Sequence, residues 1–130
     1  MSQSESEILE NQVPRHFGQL VAADGYARAE NQCGEALEIW IQVRDGHIDQ
    51  IRFLSDGCAA TMACASAVAL LAKGQEVSEA FALRPERVLG CIRGLPDEEA
   101  HAAEFAVQTL QKALANYLEN QRNPWKKLYR

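Results

Sequence analysis

The chain has 130 residues, of which 47% are hydrophobic and 24% are charged, a balance typical of a single globular domain with its own core. Its formal net charge is −5, and the lysines and arginines are not clustered densely enough to form the basic surface that nucleic-acid binding needs. We therefore expect no nucleic-acid partner. The uncharged stretch 57–72 is Ala-rich and shorter than the roughly 20 apolar residues of a membrane span, so we expect no membrane partner. No secretory signal pattern opens the chain, which predicts a cytoplasmic location.

The first part of the chain carries the pattern of strands. Residues 1–12 are polar around one apolar pair and fit either a short amphipathic helix or a frayed end. After several turn signals, a short first strand is predicted at Tyr26–Glu30. Ala36–Arg44 then alternates apolar and polar side chains, which is the period of a half-buried strand.

A hairpin is predicted directly after that strand. Asp45 and Gly46 form a two-residue turn signal, because glycine tolerates positive φ there. His47–Leu54 alternates again and is predicted to be the returning strand. The alternation slips once between Ile48 and Ile51, which indicates either a β-bulge or a different register.

Helical patterns fill the chain beyond Gly57. The predicted helices have start or stop signals, such as a proline in the first turn or a glycine after the last. They are Ala59–Lys73 with Gly74 as its C-cap, Val77–Leu83, Pro85–Cys91, and a long helix that opens within residues 94–99 and carries apolar residues to Leu118.

The order of these elements predicts the fold class. Strands come first and helices follow, which argues for an α+β fold in which helices pack on one face of an antiparallel sheet. We expect residues 1–130 to form one domain. The tail, residues 123–130, is basic and aromatic. Two interpretations fit it about equally well: it packs Trp125 against the rest of the domain, or it docks on a partner.

One corner of the chain predicts chemistry. Cys58 follows Gly57 where the strand pattern stops and the helix pattern begins, so its thiol is placed at a helix N-terminus. The free N–H groups and the helix dipole favour negative charge there. A cysteine in this position tends toward thiolate and is a competent metal ligand or nucleophile.

The four cysteines form no CxxC pair, which argues against a zinc ribbon or a thioredoxin-like redox site. Cys33 and Cys58 each lie beside a glycine at an element boundary, so we single them out as candidate ligands. Cys64 lies about 9 Å further along the helix axis and is rotated off the face of Cys58, so it is expected to pack against the sheet. Cys91 receives the same structural interpretation.

Other ligand types lie at the same kind of boundary. Cys33, Glu35, Cys58 and His101 occupy three loop-to-element corners, and a borderline metal binds thiolate, imidazole and carboxylate. Spacing alone is weak evidence, because a single histidine on a helix is more often an exposed residue than a ligand. The two remaining histidines, His16 and His47, are interpreted as surface residues.

Several short motifs stand at these boundaries in a definite order. They are Pro14-Arg15-His16-Phe17-Gly18, Ala23-Asp24-Gly25, Asn31-Gln32-Cys33-Gly34-Glu35, Asp56-Gly57-Cys58-Ala59-Ala60, Ala72-Lys73-Gly74, and Gly94-Leu95-Pro96 with His101. Together they resemble the iron–sulfur cluster assembly scaffolds of the IscU and NifU N-terminal type. The resemblance extends over about residues 8–120, which leaves 1–7 and 121–130 as terminal extensions.

This resemblance implies a fold and a function. The family has a three-stranded antiparallel sheet with packed helices. Its site receives sulfur from a cysteine desulfurase, builds a [2Fe–2S] cluster for acceptor apo-proteins, and also holds iron or zinc. Matched residue by residue, the implied ligands are Cys33, Glu35, Cys58 and His101.

The chain also departs from the family pattern. Ala102 stands where a third cysteine, the one usually assigned as sulfur acceptor, would follow His101. Glu35 replaces an aspartate and adds one methylene, and Cys64 takes a position that is commonly serine. Residues 95–99 lack the Leu-Pro-Pro-Val-Lys sequence that the dedicated Hsp70 system reads, which argues against chaperone handover of that kind.

Three functions remain open from the sequence. The leading hypothesis is a scaffold or carrier without enzymatic activity, which binds a labile cluster or metal through the four residues, or with Cys64 or Cys91 in place of Glu35. The second is a zinc- or iron-binding regulator or desulfurase partner that assembles no cluster. The third is a thiol or sulfurtransfer enzyme with Cys58 as nucleophile and His101 as base, for which the sequence suggests no oxyanion hole.

Overall fold

The computed structural model describes residues 16–95 and 97–123. Residues 1–12, which fit either a short helix or a frayed end, and the tail residues 124–130 lie outside the described residues. In the described part of the chain, no helix is long and apolar enough to cross a membrane. The elements in chain order are β1 (Gly25–Glu30), β2 (Ala36–Arg44), β3 (His47–Ser55), α1 (Ala59–Ala72), α2 (Val77–Phe81), α3 (Pro85–Leu89), a 3-10 turn (Asp97–Glu99) and α4 (His101–Arg122).

The three strands form one antiparallel sheet in the order β1-β2-β3. The alternation in β2 is the predicted one, because Leu37, Ile39 and Ile41 are fully buried while the residues between them are only partly buried. Asp45 and Gly46 make the predicted two-residue turn into β3. Both have positive φ, 54° and 77°, as a type I′ hairpin turn requires.

A β-bulge lies three residues from this turn. Gln42 pairs with Gln50, but Val43 pairs with Ile48, so Asp49 has no pairing partner on β2. The slip in the alternation of β3 is therefore a bulge and not a different register. The inserted residue lets apolar side chains on both sides of it, Ile48 and Ile51, face the same core.

The helices cover the face of the sheet that carries the buried strand side chains. α1 packs on β3 and on α4, while α4 packs on β1 and β2, and α2 and α3 pack against α4. This arrangement confirms the α+β fold with helices on one face of an antiparallel sheet. The largest fully buried side chains are those of Phe53, Leu37, Ile39, Ile41, Ile48, Ile51, Leu110, Leu114, Val68 and Val88.

α4 runs antiparallel to β1 and is tied to it through polar side chains. The Tyr26 amide donates to Asn116 Oδ1 at 3.0 Å, and Asn120 Nδ2 donates to the carbonyl oxygen of Asp24 at 3.1 Å. The other end of α4, at His101, lies beside the loop that follows β1. The length of α4 therefore sets the position of His101 relative to that loop.

Close approach of α4 to β1 depends on Gly25. A Cβ atom on residue 25 would come within 2.6 Å of the Ala113 carbonyl oxygen and 2.9 Å of Tyr117 Cβ. Because the first of these atoms is backbone, no rotamer change would relieve the contact. The glycine is thus required by packing and not by its φ value.

α2 ends at Phe81, two residues earlier than the sequence predicts. The Leu83 amide donates to the Ala80 carbonyl oxygen at 3.2 Å, a 3-10 bond that closes the helix. Arg84 then takes an extended backbone with ψ of 148°. The residue before a proline avoids the helical region, so Pro85 ends the helical run before it.

α3 likewise ends at Leu89 and not at Cys91. The Cys91 amide donates to the Val88 carbonyl oxygen at 3.0 Å, again a 3-10 bond, and the chain leaves the helix. α4 begins at His101, because residues 97–99 form a separate 3-10 turn before it. His101 is in the first turn of the last helix, as predicted.

The interpretation of His16 as a surface residue is wrong. His16 is 3% exposed, and its Nδ1 lies 3.3 Å from the Ile51 carbonyl oxygen on β3. The next residue, Phe17, forms a parallel bridge with Phe53 and packs its ring edge-on against that residue. This segment covers the edge of β3, which a sequence pattern of turn signals does not reveal. His47 is exposed, as predicted.

A pair of glycine substitutions tests the packing of α4 on β1. Gly25→Ala should lower the free energy of unfolding by about 1–3 kcal/mol, because the added methyl group overpacks the interface. Gly90→Ala is the matched control. Its Cβ would meet no atom closer than 3.4 Å, and its φ is −63°. We expect it to be neutral or to stabilise by less than about 1 kcal/mol. Chemical denaturation measures both; equal stabilities would contradict the packing argument.

Candidate functional site

The loop between β1 and β2 is folded around the side chain of Asn31. Its Oδ1 accepts hydrogen bonds from the amides of Cys33 and Glu35, each at 3.0 Å, as in an Asx turn. Gly34 has a φ of 82°, a left-handed value that glycine adopts without strain. Cys33 is thereby held on this loop with its side chain exposed.

Cys58 is the N-cap of α1, as the sequence predicts. Its backbone is extended, and its carbonyl oxygen accepts the Met62 amide at 3.0 Å. The side chain makes no capping hydrogen bond to the helix backbone, and Cys58 is exposed. Its sulfur lies 3.7 Å from the Thr61 hydroxyl.

Glu35 supplies the negative charge at the start of α1 that the sequence argument assigned to the Cys58 thiol. Its Oε2 accepts the Cys58 amide at 2.6 Å, and its Oε1 accepts the Asn31 side-chain amide at 2.7 Å and the Thr61 hydroxyl at 3.1 Å. The bond from Asn31, followed by that from the Cys58 N–H, holds the pKa of Glu35 below its usual value. An ionised carboxylate here also interacts favourably with the helix dipole.

His101 and Cys33 line one cavity of about 500 Å³ at the end of β1. Both residues are exposed, since the cavity opens to solvent. Glu104, three residues after His101 on α4, lines the same cavity. The cavity therefore combines a thiol, an imidazole and a carboxylate along one wall of the site.

The four predicted ligands thus fall into two pairs. Glu35 is hydrogen-bonded to Cys58, and Cys33 shares a cavity with His101. Among residues 16–95 and 97–123, no three His, Cys, Asp or Glu side chains lie close enough to hold one metal ion. Convergence of all four on a single ion stays a prediction.

The other two cysteines differ sharply from the exposed pair. Cys64 is 0% exposed and belongs to the core, and burial raises the pKa of its thiol to about 12. The sequence predicts that Cys64 packs against the sheet, and Cys64 belongs to the core cluster that α1 shares with the strands. Cys91 is half-buried and packs against the core. Ala102, next to His101, is 2% exposed and also belongs to the core.

Sequence reasoning missed three residues of the site. Asn31 carries the Asx-turn signal, and Thr61 stands at the third residue of α1, where a side chain commonly takes part in capping. Glu104 follows His101 at helical spacing. Asn31 bonds within its own loop, whereas the bond from Thr61 to Glu35 joins two segments that are 26 residues apart.

The comparison with protein families decides the classification. The model of the NifU-like N terminal domain matches residues 4–124. The chain belongs to this family. The resemblance identified from the short motifs is therefore confirmed, and the matched region includes every residue of the candidate site.

Curated members of the NifU-like family are similar over most of the chain. The chain is 35% identical over 107 residues to the iron-sulfur cluster assembly scaffold protein IscU 1 of Archaeoglobus fulgidus, covering 82% of this chain and 70% of that protein. It is 36% identical over 105 residues to the nitrogen fixation protein NifU of Cereibacter sphaeroides, covering 80% of this chain and 43% of that protein.

Solved structures show the same fold. A nitrogen-fixing NifU-like protein (N-terminal) from Brucella abortus has a TM-score of 0.69 at 18% identity, covering 91% of this chain and 94% of that one. A putative iron-sulfur cluster assembly scaffold protein for the SUF system from Fervidobacterium islandicum has a TM-score of 0.67 at 19% identity, covering 84% and 95%. At these identities the structures support the fold alone.

Thiol labelling tests the assignment of exposed and buried cysteines. With iodoacetamide between pH 7 and 9, we expect Cys33 and Cys58 to be alkylated in the folded protein while Cys64 stays unmodified, because a neutral, buried thiol is unreactive. In denaturant, Cys64 should react as fast as the other two. Peptide mass spectrometry measures each site, and rapid labelling of Cys64 in the folded chain would contradict its placement.

Proposed function

We propose that this chain is an iron–sulfur cluster assembly scaffold, which builds a labile cluster and passes it to acceptor apo-proteins. Its membership of the NifU-like family and its 35% identity to a scaffold protein support this function. In this role the cluster is cargo, and the chain binds and transfers it without enzymatic turnover.

One observation carries the proposal. Two exposed cysteines lie on different loops that a shared carboxylate, Glu35, joins by hydrogen bonds to Asn31 and to the Cys58 amide. Cluster irons are normally held by cysteine thiolates, and histidine also serves as a ligand. We therefore assign Cys33, Cys58 and His101 as cluster ligands; Glu35 is the fourth residue of the predicted set.

The form of the site fits a cluster better than a single ion. Ligands of a two-iron cluster are divided between two metal atoms, so they stand farther apart than the ligands of one ion. The cavity of about 500 Å³ that Cys33 and His101 line is large enough to hold a cluster. The exposure of both cysteines fits a cluster that must leave again.

Sulfur and partners follow from the same proposal. A cysteine desulfurase is the sulfur source, acceptor apo-proteins are the destination, and the cytoplasm, a reducing compartment, suits four free thiols. The cluster is of the [2Fe–2S] type. Zinc binds the same thiolates and imidazole when iron and sulfide are withheld.

Anaerobic reconstitution tests the function. Incubation of the whole chain with ferric iron and sulfide should give a cluster absorption spectrum with iron and sulfide in equal amounts. Cys33→Ser and Cys58→Ser should each lose most of this signal, because each removes a ligand. Cys64→Ser is the matched control and should retain it, since that thiol is buried.

Other outcomes would point elsewhere. Binding of zinc or iron that requires Cys33 and Cys58, without any cluster spectrum, would support a metal-binding regulator or desulfurase partner. Cluster formation that survives both serine substitutions would contradict the assigned ligands. Absorption spectra and metal analysis on the same samples separate these results.

A further inference from the structure

The Glu35 carboxylate is bonded to three parts of the site at once. Its donors are the Asn31 side chain in its own loop, the Cys58 amide at the start of α1, and the Thr61 hydroxyl one turn into that helix, at 2.7, 2.6 and 3.1 Å. Hydrogen bonds to an ionised acceptor are among the stronger ones in proteins. The carboxylate thus links the loop of Cys33 to the helix of Cys58.

The surroundings of these bonds are closely packed. Thr61 is 1% exposed, so its hydroxyl depends on protein partners. A Cβ atom on Gly57 would come within 2.9 Å of Thr61 Cβ and 3.0 Å of Glu35 Oε2. A glycine at residue 57 is therefore what lets the chain pass so close to the carboxylate.

Resting on the function proposed above, we propose that Glu35 is a positioning residue and not a cluster ligand. With Asn31 and Thr61 it forms a clamp that fixes the Cys33 loop relative to Cys58. The cargo is then held by Cys33, Cys58 and His101, and the clamp stays closed when metal binds.

The alternative, Glu35 as a ligand, has a structural cost. To reach a metal, the carboxylate would leave the buried Thr61 hydroxyl and the Cys58 amide without their acceptor. Thr61 is buried, so the loss of this acceptor is costly for its hydroxyl, and the charge-assisted bond from the exposed Cys58 amide would be lost as well. Both bonds favour the present position of the carboxylate. The extra methylene that distinguishes glutamate from aspartate gives the side chain its reach from the start of β2 to α1.

The first experiment needs no metal. Amide hydrogen exchange is measured by NMR on the whole chain, and Glu35→Ala should speed exchange at Cys58 by tenfold or more. Thr61→Val should speed exchange at Cys58 several-fold, while Thr61→Ser, which keeps the hydroxyl, should exchange at the wild-type rate. Thr109→Val is the matched control: it also removes a buried hydroxyl, one bonded to Phe105, and should leave Cys58 unaffected.

The second experiment uses cobalt(II) as the probe. Its thiolate charge-transfer bands show whether cysteines are bound to the ion, and its ligand-field bands depend on the identity and geometry of all its ligands. We expect Glu35→Ala and Thr61→Val each to weaken cobalt binding about tenfold with band positions unchanged. The double variant should be no weaker than Glu35→Ala alone, because both changes break one clamp.

The outcomes separate the two proposals. A shift of the ligand-field bands in Glu35→Ala alone would make Glu35 a ligand and overturn the clamp. Unchanged Cys58 exchange in Glu35→Ala would overturn it as well. If the wild-type chain gave no thiolate bands with cobalt, the proposed function would fail, while the exchange rates would still decide whether the clamp exists.

Discussion

The contact of α4 with β1 is the constraint on which the rest of the structure depends. Gly25 lets the helix lie close to the strand, and Asn116 fixes its position along the strand through the Tyr26 amide. The same helix covers β2 and supports α1, so most of the core forms against it. Its first residue, His101, then stands beside the loop of Cys33.

The second half of the site depends on a different kind of contact. Cys58 is held by the N-terminus of α1, and this terminus is joined to the β1–β2 loop by the Glu35 carboxylate. The half with His101 is set by the close packing of α4 on β1 and by hydrogen bonds between uncharged groups, whereas the half with Cys58 is set by hydrogen bonds to an ionised carboxylate. We therefore expect the two halves to respond to different perturbations: overpacking at Gly25 acts on the half that α4 positions, and loss of the carboxylate acts on the half that contains Cys58.

Local patterns predicted much of the fold. The alternation of Ala36–Arg44, the Asp45-Gly46 turn and the slip near Ile48 all follow from interactions between neighbouring residues, and the structure confirms them. The burial of Cys64 followed from helical geometry alone. Helix ends were less predictable, because 3-10 bonds and the residue before Pro85 closed α2 early.

The sequence predicts candidate ligands for the site but not how they are arranged. Cys33, Cys58 and His101 could be identified because each stands at an element boundary and matches a family motif. Glu35 accepts a hydrogen bond from the amide of Cys58, which lies 23 residues later in the chain, and no local pattern predicts such a bond. His16 was misplaced for the same reason, since its partner is on β3, 35 residues away.

The candidate ligands and the clamp lie where elements begin or end, at one pole of the sheet. The loop after β1, the end of β3, the start of α1 and the start of α4 meet there, while the strand ladders lie behind them. Changes of ligand type at this pole leave the ladders and most of the core untouched. The ligand chemistry at this end of the sheet can therefore change while the fold stays almost the same.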